Sequence, residues 1–245
     1  MTYELILLDA DGTLFDYDRA EKCAIEITFR DFGLDYSDSI LARYRVVNDA
    51  LWKELERGDI TSADLRVERF RRLLAELREA AQDSSSAQAS AQTPAIAPVP
   101  DAEALSLCYL HHLARSSHLI DGAEDICRYM TERYNLAVLT NGIAEVQRSR
   151  LAKSALHDIV PHIIISEEVG LSKPDPRIFE YAMKILGYPR RDTVLMVGDS
   201  LSSDIRGGAN AGIDTCWYNP HSAPCSADLT PTYEIRALRE LRQLL

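Results

Sequence analysis

LILLDADGTL, residues 5–14, runs from four apolar side chains into two carboxylates, Asp9 and Asp11. The apolar run is typical of a buried strand, and burying unpaired carboxylates at its end is costly unless a metal ion or another partner compensates them. Such a pair suits phosphoryl transfer, because one acid can attack, the other can handle protons, and a divalent cation can neutralise both. Gly12 allows a sharp turn that exposes amide donors to an anion. Asp-x-Asp-Gly also occurs in ordinary turns and in calcium loops, which is the alternative interpretation.

Three polar clusters further along the chain could complete a site. The triplet TNG at residues 140–142 and the segment GDSLSSD at residues 198–204 each follow a short apolar run, and Lys173 introduces a helical pattern. In an open α/β sheet, ligands bind outside the carboxyl ends of the strands, where these clusters would meet. Each cluster also has an ordinary alternative. The triplet could be a helix-start turn, Lys173 a solvated loop lysine, and Asp204 an acid at a helix N-terminus.

Helical patterning replaces strand patterning after the first motif. Apolar residues recur at helical spacing in four segments, which predict helices over residues 19–32, 39–55, 62–77 and 101–113. A crossover between parallel strands needs only one helix, so four helices indicate an inserted domain. After residue 121 the chain alternates between strands (136–140, 163–166, 193–198 and 214–218) and helices (123–133, 144–154, 176–186 and 203–211).

This order predicts an α/β fold, with a doubly wound (Rossmann-like) parallel sheet core and an inserted helical cap domain. We assign residues 1–16 and 119–245 to the core and residues 17–118 to the cap. Within the cap, residues 82–100 consist mainly of Ser, Ala, Gln and Pro. Such a segment has too little apolar surface to offset its ordering entropy, so we expect a flexible surface loop there.

Taken in this order, the four motifs closely resemble those of the haloacid dehalogenase superfamily of phosphohydrolases, and the resemblance covers nearly the whole chain. It implies that Asp9 is the nucleophile and forms an aspartyl-phosphate. It implies that Asp11 protonates the leaving alkoxide and later deprotonates water. The implied cofactor is Mg²⁺, bound by the carboxylates of Asp9 and Asp199 and by the backbone carbonyl of Asp11.

The same resemblance implies roles for the remaining motif residues. Thr140 and Asn141 would bind the transferring phosphoryl group, and Lys173 would offset the negative charge of Asp9 and the phosphate. The resemblance favours Asp199 over Asp204 as a metal ligand, because in relatives the residue at the Asp204 position more often orients water or the lysine, and it leaves open whether Asp204 touches the metal. The superfamily also contains dehalogenases, which lack the second acid, and a non-catalytic binding module would have lost at least one acid or the lysine. Because every one of these residues is present, we favour a phosphatase over both alternatives.

Within the superfamily the chain looks most like the bacterial pyrimidine 5′-nucleotidase branch. The likeness rests on residues 8–18 and on segments 44–52, 58–61 and 69–70 of the cap. That branch removes phosphate from normal and non-standard pyrimidine nucleoside monophosphates. Asn48 could pair with a base edge, and Trp52 or Phe15 could stack on the base. The alternative is that the aromatic residues only pack helices together, and related caps also serve sugar phosphates and acylneuraminate phosphate.

Charge and hydrophobicity narrow the class of partner. A formal net charge of −11 argues against a nucleic-acid polymer, whose phosphate backbone needs a basic surface. No run reaches the roughly 20 apolar residues that span a bilayer, so we expect no membrane contact. We therefore expect a cytoplasmic enzyme, monomer or homodimer, that acts on a small phosphorylated metabolite such as a nucleoside monophosphate.

Overall fold

The computed structural model of the chain describes residues 3–86 and 100–245. It divides into two compact units. The core unit consists of the chain up to Ala20 together with Ala114–Leu245, and the helical unit is Glu21–Leu113. Most of the predicted low-complexity loop, residues 87–99, lies outside the described residues. None of the helices in the two described stretches combines the length and hydrophobicity that a bilayer span requires.

Four helices follow the first strand, as the apolar spacing predicts: α1 (Tyr17–Asp31), α2 (Asp38–Glu56), α3 (Ser62–Ser86) and α4 (Ala102–Leu113). The third helix is longer than predicted, because α3 continues to Ser86. A loop beginning at residue 82 is therefore wrong for residues 82–86. The Ala, Glu and Arg residues before them favour helix, and each residue added to an existing helix costs little compared with starting one.

The helical unit has its own core. The rings of Tyr44, Phe70 and Tyr109, one from each of α2, α3 and α4, lie with their centroids 5.5–5.8 Å apart. A second group of buried side chains, Val47, Leu51 and Leu65, joins α2 to α3. Burying each such side chain contributes about 1.5–3 kcal/mol, so these two groups hold the helices together.

A six-stranded parallel sheet forms the centre of the core unit. Its strands are β1 (Leu5–Leu8), β2 (Asn135–Thr140), β3 (His162–Ile165), β4 (Val194–Gly198), β5 (Asp214–Tyr218) and β6 (Tyr233–Ile235). Their order across the sheet is β3-β2-β1-β4-β5-β6, and every pair is parallel. Leu8 at the end of β1 is in register with Val138 of β2 and Val197 of β4. The chain therefore winds outward in both directions from β1 and β4, which confirms the predicted doubly wound sheet.

Helices cover both faces of this sheet: α5 (Ala123–Thr131), α6 (Ala144–Ala152), α7 (Ser166–Val169), α8 (Pro176–Leu186), α9 (Arg206–Ala211) and α10 (Leu241–Leu244). The β1 side chains alternate between the faces. Ile6 and Leu8 belong to one buried cluster with apolar residues of α5. Leu5 and Leu7 belong to a second cluster with apolar residues of α8. This two-sided burial explains why β1 is apolar at every position.

The core unit differs from the expectation in several short elements, and α7 and α10 are two helices that were not predicted. The helix predicted over residues 203–211 starts as a π-helical turn, Leu201–Ile205, and only then continues as α9. The edge strand β6 was not predicted, because three residues are too few to show a strand periodicity. None of these differences changes the order of the strands that carry the motifs.

Candidate active site

The site lies where β1, β2 and β4 end. Asp9 directly follows β1, and its backbone N–H donates to the carbonyl of Val197 on β4 at 2.9 Å, so the chain keeps the sheet pairing up to this residue. The Asp9 side chain is buried, with 7% of the residue exposed. The loops after β2 and β4 reach the same edge of the sheet, as the sequence predicted for parallel strands.

Lys173 is the charged centre of this site. Its ammonium donates to Asp9 Oδ1 at 2.6 Å and to Asp204 Oδ1 at 2.7 Å. It also donates to the backbone carbonyl of Leu139 at 2.7 Å, so all three ammonium hydrogens have partners. Only 1% of the residue is exposed. Lys173 is therefore not a solvated loop lysine, which was the alternative for this position.

Asp199 and Asp204 differ in their surroundings. Asp204 is fully buried, and both of its carboxylate oxygens are used, one by Lys173 and the other by the N–H of Ser200 at 3.0 Å. Asp199 accepts a hydrogen bond from the hydroxyl of Thr13 at 3.0 Å. Its backbone carbonyl accepts from Trp217 Nε1 at 2.9 Å, which fixes the loop after β4. Asp199 is thus the more available ligand, and Asp204 orients the lysine.

The donor set fits a hard divalent cation. Carboxylate oxygens of Asp9, Asp199 and Asp204 lie within 4.8 Å of one another. One lysine does not balance three clustered acids, and Mg²⁺ prefers carboxylate oxygen ligands. Gly12 shapes the same place: its φ is +87°, and a Cβ built there would lie 2.5 Å from Asp199 Oδ2. A side chain at residue 12 would therefore displace a candidate metal ligand.

Burial and crowding shift the acid–base properties of the site. Burial raises the pKa of Asp9 well above its usual range, Lys173 opposes this effect, and the negative charges of Asp204 and Asp199 add to it. Burial and the charge of Asp204 raise the pKa of Asp199 to about 7. For Lys173, burial disfavours the charged form, but Asp204 and Asp9 outweigh it and raise the pKa of the ammonium. A bound divalent cation would relieve the repulsion between the acids.

The residues after β2 support the lysine as well as the site. The Asn141 side chain donates to the carbonyl of Lys173 at 2.8 Å and accepts from the N–H of Lys173 at 2.9 Å. One of its two amide hydrogens is therefore committed to the lysine loop. Thr140 is buried, and its hydroxyl oxygen accepts the N–H of Gly142 at 3.1 Å, which leaves the hydroxyl hydrogen available as a donor. The Lys173–Pro174 peptide bond is cis.

Asp11 has two partners that the sequence analysis missed. Gln147 Nε2 donates to Asp11 Oδ2, and Arg150 Nη1 donates to Asp11 Oδ1. Both partners lie on α6 and both are buried. One feature of the sequence indicates that these two polar residues are buried: they share the face of α6 that carries the apolar residues Val146 and Leu151.

The expected specificity residues belong to different units: Phe15 lies in the core unit, and Asn48 and Trp52 lie in the helical unit. Phe15 is 1% exposed, and the Arg150 guanidinium lies 4.6 Å from the centre of its ring. The ring is therefore part of the core, and in this conformation it presents no open face to a base. Asn48 is buried in the helical unit, and its Oδ1 has no hydrogen-bond partner among the described residues. Trp52, which is half-buried, packs against the Val47, Leu51 and Leu65 group.

A cavity of about 570 Å³ opens next to the acids within the core unit. Asp11, Gly12 and Asp199 form one part of its wall, and Tyr17 and His221 are among the residues that form the rest. Its volume is within the usual range for small-molecule sites. A small ligand can therefore lie against Asp11 and Asp199 without any change in the core unit.

Comparisons with known proteins identify the family of the chain. The haloacid dehalogenase-like hydrolase family matches residues 3–212. The chain is 35% identical over 247 residues to the pyrimidine 5′-nucleotidase PynA of Streptococcus pneumoniae, covering 100% of this chain and 96% of PynA. It is 33% identical over 245 residues to the pyrimidine 5′-nucleotidase YjjG of Escherichia coli, covering 100% of this chain and 99% of YjjG.

A solved structure is similar along the whole chain. The crystal structure of the HAD-hydrolase YfnB from Bacillus subtilis, described as bound to magnesium, has a TM-score of 0.87 and is 32% identical. The match covers 100% of this chain and 99% of YfnB. The family match, the full-length relatives and the similar fold agree with one another, and the chain belongs to the haloacid dehalogenase-like hydrolase family.

Proposed function

We propose that this protein is a Mg²⁺-dependent phosphatase that hydrolyses small phosphomonoesters, in particular pyrimidine nucleoside 5′-monophosphates. The observation that carries the proposal is the contact of one buried lysine with both Asp9 and Asp204, beside Asp199. This arrangement holds a carboxylate nucleophile in a site whose remaining acids suit a divalent cation. A phosphate group would then meet a lysine, a hydroxyl donor and backbone amides as well as the acids.

In the first step Asp9 attacks phosphorus, and the bond between phosphorus and the leaving oxygen breaks. Asp11 gives a proton to that oxygen, so the alcohol leaves as a neutral molecule. In the second step water attacks the aspartyl-phosphate and gives a proton to Asp11, which releases inorganic phosphate and regenerates the Asp9 carboxylate. Splitting the reaction in this way replaces one difficult hydrolysis with two easier displacements.

The other residues of the site assist by charge and position. Lys173 offsets the charge on Asp9 and on the equatorial oxygens, and the Thr140 hydroxyl and the second amide hydrogen of Asn141 donate to the phosphoryl group. The carboxylates of Asp9 and Asp199 and the backbone carbonyl of Asp11 would hold Mg²⁺, which would neutralise the charge that otherwise repels an anionic substrate.

Two kinds of evidence support the choice of substrate and reaction. PynA and YjjG, both similar over the full length of this chain, are named as pyrimidine 5′-nucleotidases. The presence of Asp11, Asp199 and Asp204 favours a phosphatase over a 2-haloacid dehalogenase, because attack on carbon needs neither the second acid nor the metal-binding pair.

A substrate panel tests the proposal. Phosphate release would be measured with Mg²⁺ for UMP, dUMP, dTMP, AMP, glucose 6-phosphate and phosphoglycolate, with Asp9→Asn as the inactive control. We expect the highest kcat/KM for a pyrimidine nucleotide. A clear preference for glucose 6-phosphate would support the proposed phosphatase activity but would change the proposed substrate class to sugar phosphates. Absence of phosphate release from every compound would contradict the proposal.

A further inference from the structure

Helix α6 aims two buried side chains at Asp11. Gln147 and Arg150 are one turn apart on α6, and only 2% of Gln147 and none of Arg150 is exposed. Each donates to a different oxygen of the Asp11 carboxylate. The two contacts fix both ends of the carboxylate, so its rotation is restricted about both side-chain torsions.

The neighbouring residues leave room for Gln147 and Arg150 and hold them against Asp11. A Cβ at residue 142 would overlap the Gln147 side chain, so Gly142 leaves the space through which Gln147 reaches Asp11. Arg150 is held by a second bond, from its Nε to the carbonyl of Ser116 at 2.9 Å, and by the ring of Phe15 beneath its guanidinium. These neighbours leave Arg150 little freedom to turn away.

Arg150 has an acidic partner in Asp11. A buried guanidinium is costly without a partner, and Asp11 is the one carboxylate with which Arg150 pairs in the described parts of the chain. Gln147 Oε1 and Arg150 Nη2 have no hydrogen-bond partner among residues 3–86 and 100–245. Neither side chain therefore has a competing acid to draw it away from Asp11.

We propose that Gln147 and Arg150 are positioning residues for Asp11, and that they set the direction in which its carboxyl group faces the leaving oxygen. The inference rests on the proposed function, in which Asp11 transfers protons. The Asp11 side chain is 27% exposed and lines the cavity, so it is accessible to a ligand. At the same time, both of its carboxylate oxygens accept hydrogen bonds from side chains of α6. Proton transfer requires hydrogen-bond distance to the reacting oxygen, and a freely rotating carboxyl group would meet that condition only part of the time.

Correct placement of Asp11 matters differently in the two chemical steps. In the first step an alkyl leaving group, such as a nucleoside, needs the proton, whereas nitrophenolate is stable enough to leave without it. The second step is hydrolysis of the same aspartyl-phosphate, whatever the substrate. Misplacing Asp11 should therefore slow the first step for nucleotides only and slow the second step for every substrate.

Arg150→Met tests this inference with UMP, or the best alkyl phosphate of the panel, and with p-nitrophenyl phosphate. We expect kcat/KM for the alkyl phosphate to fall by about 100-fold or more, as for loss of a general acid, and kcat/KM for the aryl phosphate to fall by less than about tenfold. Because the second step becomes limiting, mixing with p-nitrophenyl phosphate should give a burst of nitrophenolate equal to the enzyme, followed by slow turnover.

Three further variants make the outcome specific. Arg148→Met removes an exposed arginine of α6 that pairs with Glu168 at 2.6 Å, and it should change neither substrate's kinetics. Arg150→Lys keeps the charge but removes the Nε–H that bonds the Ser116 carbonyl, and it should retain part of the activity that Arg150→Met loses. Gln147→Met removes the other donor without removing a buried charge, and it should give the same leaving-group pattern as Arg150→Met. It therefore tests the inference even if Arg150→Met does not fold.

The failure of this inference and that of the proposed function are distinguishable. Equal losses of kcat/KM for both substrates, without a burst, in folded Arg150→Met and Gln147→Met would mean that these residues serve structure only, which overturns the inference. If the unmodified protein hydrolyses neither phosphate, the proposed function is overturned and the inference with it.

Discussion

Lys173 supplies positive charge to the acids of the candidate active site, because all three of its ammonium hydrogens bond to groups within that site. The contacts with Asp9, Asp204 and the carbonyl of Leu139 hold the lysine in one position. Removing the ammonium would leave Asp9 and Asp204 buried without a counter-charge. The loss of one partner from a buried ion pair typically costs 3–5 kcal/mol.

Lys173→Met should lower the free energy of unfolding by about 3 kcal/mol at pH 8, measured by urea denaturation in EDTA. The pKa of Asp9 is already raised by burial, and loss of the lysine raises it further. At pH 5.5 protonation of Asp9 therefore favours the folded variant, and the loss should be smaller. The raised pKa of Lys173 keeps the unmodified protein's ammonium charged at both pH values.

The control for this prediction is Lys184→Met, which removes an exposed lysine of α8. Its free energy of unfolding should change by less than about 0.5 kcal/mol at either pH. A loss from Lys173→Met that is identical at pH 8 and pH 5.5 would mean that the buried acids are not what the lysine compensates.

The candidate residues that follow apolar strands could be predicted, because a strand delivers its next residue to the edge of the sheet. Asp9 and Asp199 are of this kind. The position of Gln147 and Arg150 on the apolar face of α6 indicates burial, but their contact with Asp11 could not be predicted, because only the folded arrangement shows Asp11 opposite them. Asn141 shows a different limit, because its contact with the backbone of Lys173 joins positions 32 residues apart.

At the scale of elements, prediction succeeds where a pattern is long and fails where it is short. The apolar runs give β1, β2, β4 and β5 to within a residue or two, and Asp175 followed by Pro176 marks the start of α8. The three-residue β6 and the π-helical turn before α9 have no periodicity of their own. They depend on neighbours that the sequence does not place, such as Cys216 of β5 opposite Tyr233 of β6.

The helices of the helical unit should control the choice of substrate. Asn48→Ala and Trp52→Ala should each lower kcat/KM for a pyrimidine nucleotide by about tenfold, the effect of one lost hydrogen bond or stacking contact. The same variants should hydrolyse p-nitrophenyl phosphate within about twofold of the original rate, because that substrate has no base to recognise. Val46→Ala is the control, since Val46 lies on the same helix α2 and is 70% exposed.

Equal loss of kcat/KM on both substrates in folded Asn48→Ala and Trp52→Ala would show that these residues serve packing only. That outcome would agree with the position of Trp52 against Val47, Leu51 and Leu65. It would remove the base-recognition role while leaving the proposed chemistry of the core unit intact.

At the scale of the whole molecule, an acidic protein has to bind an anionic substrate. The formal net charge is −11, and three of the acids meet at the candidate metal site. Local cations therefore have to outweigh the overall field, which the buried lysine begins to do and a divalent cation would complete. Metal binding should therefore change the thermal stability of the whole protein.

Mg²⁺ should raise the melting temperature more at pH 8 than at pH 5.5. A ligand that binds only the folded state stabilises it, and carboxylates bind metal in their ionised form. The pKa of Asp199 is raised to about 7 and that of Asp9 is also raised, so protons compete with the metal at the lower pH. Differential scanning fluorimetry with and without Mg²⁺ measures this effect. A larger shift at pH 5.5 would contradict the assignment of these acids as ligands.

The most direct test of the central claim is release of inorganic phosphate from UMP by the unmodified protein and by Asp9→Asn, each with Mg²⁺ and after exhaustive chelation. We expect turnover only for the unmodified protein with Mg²⁺. Asp9→Asn should be folded and inactive, because the replacement is nearly isosteric but cannot act as the nucleophile. Robust turnover by Asp9→Asn, or full activity of the unmodified protein after chelation, would contradict the account.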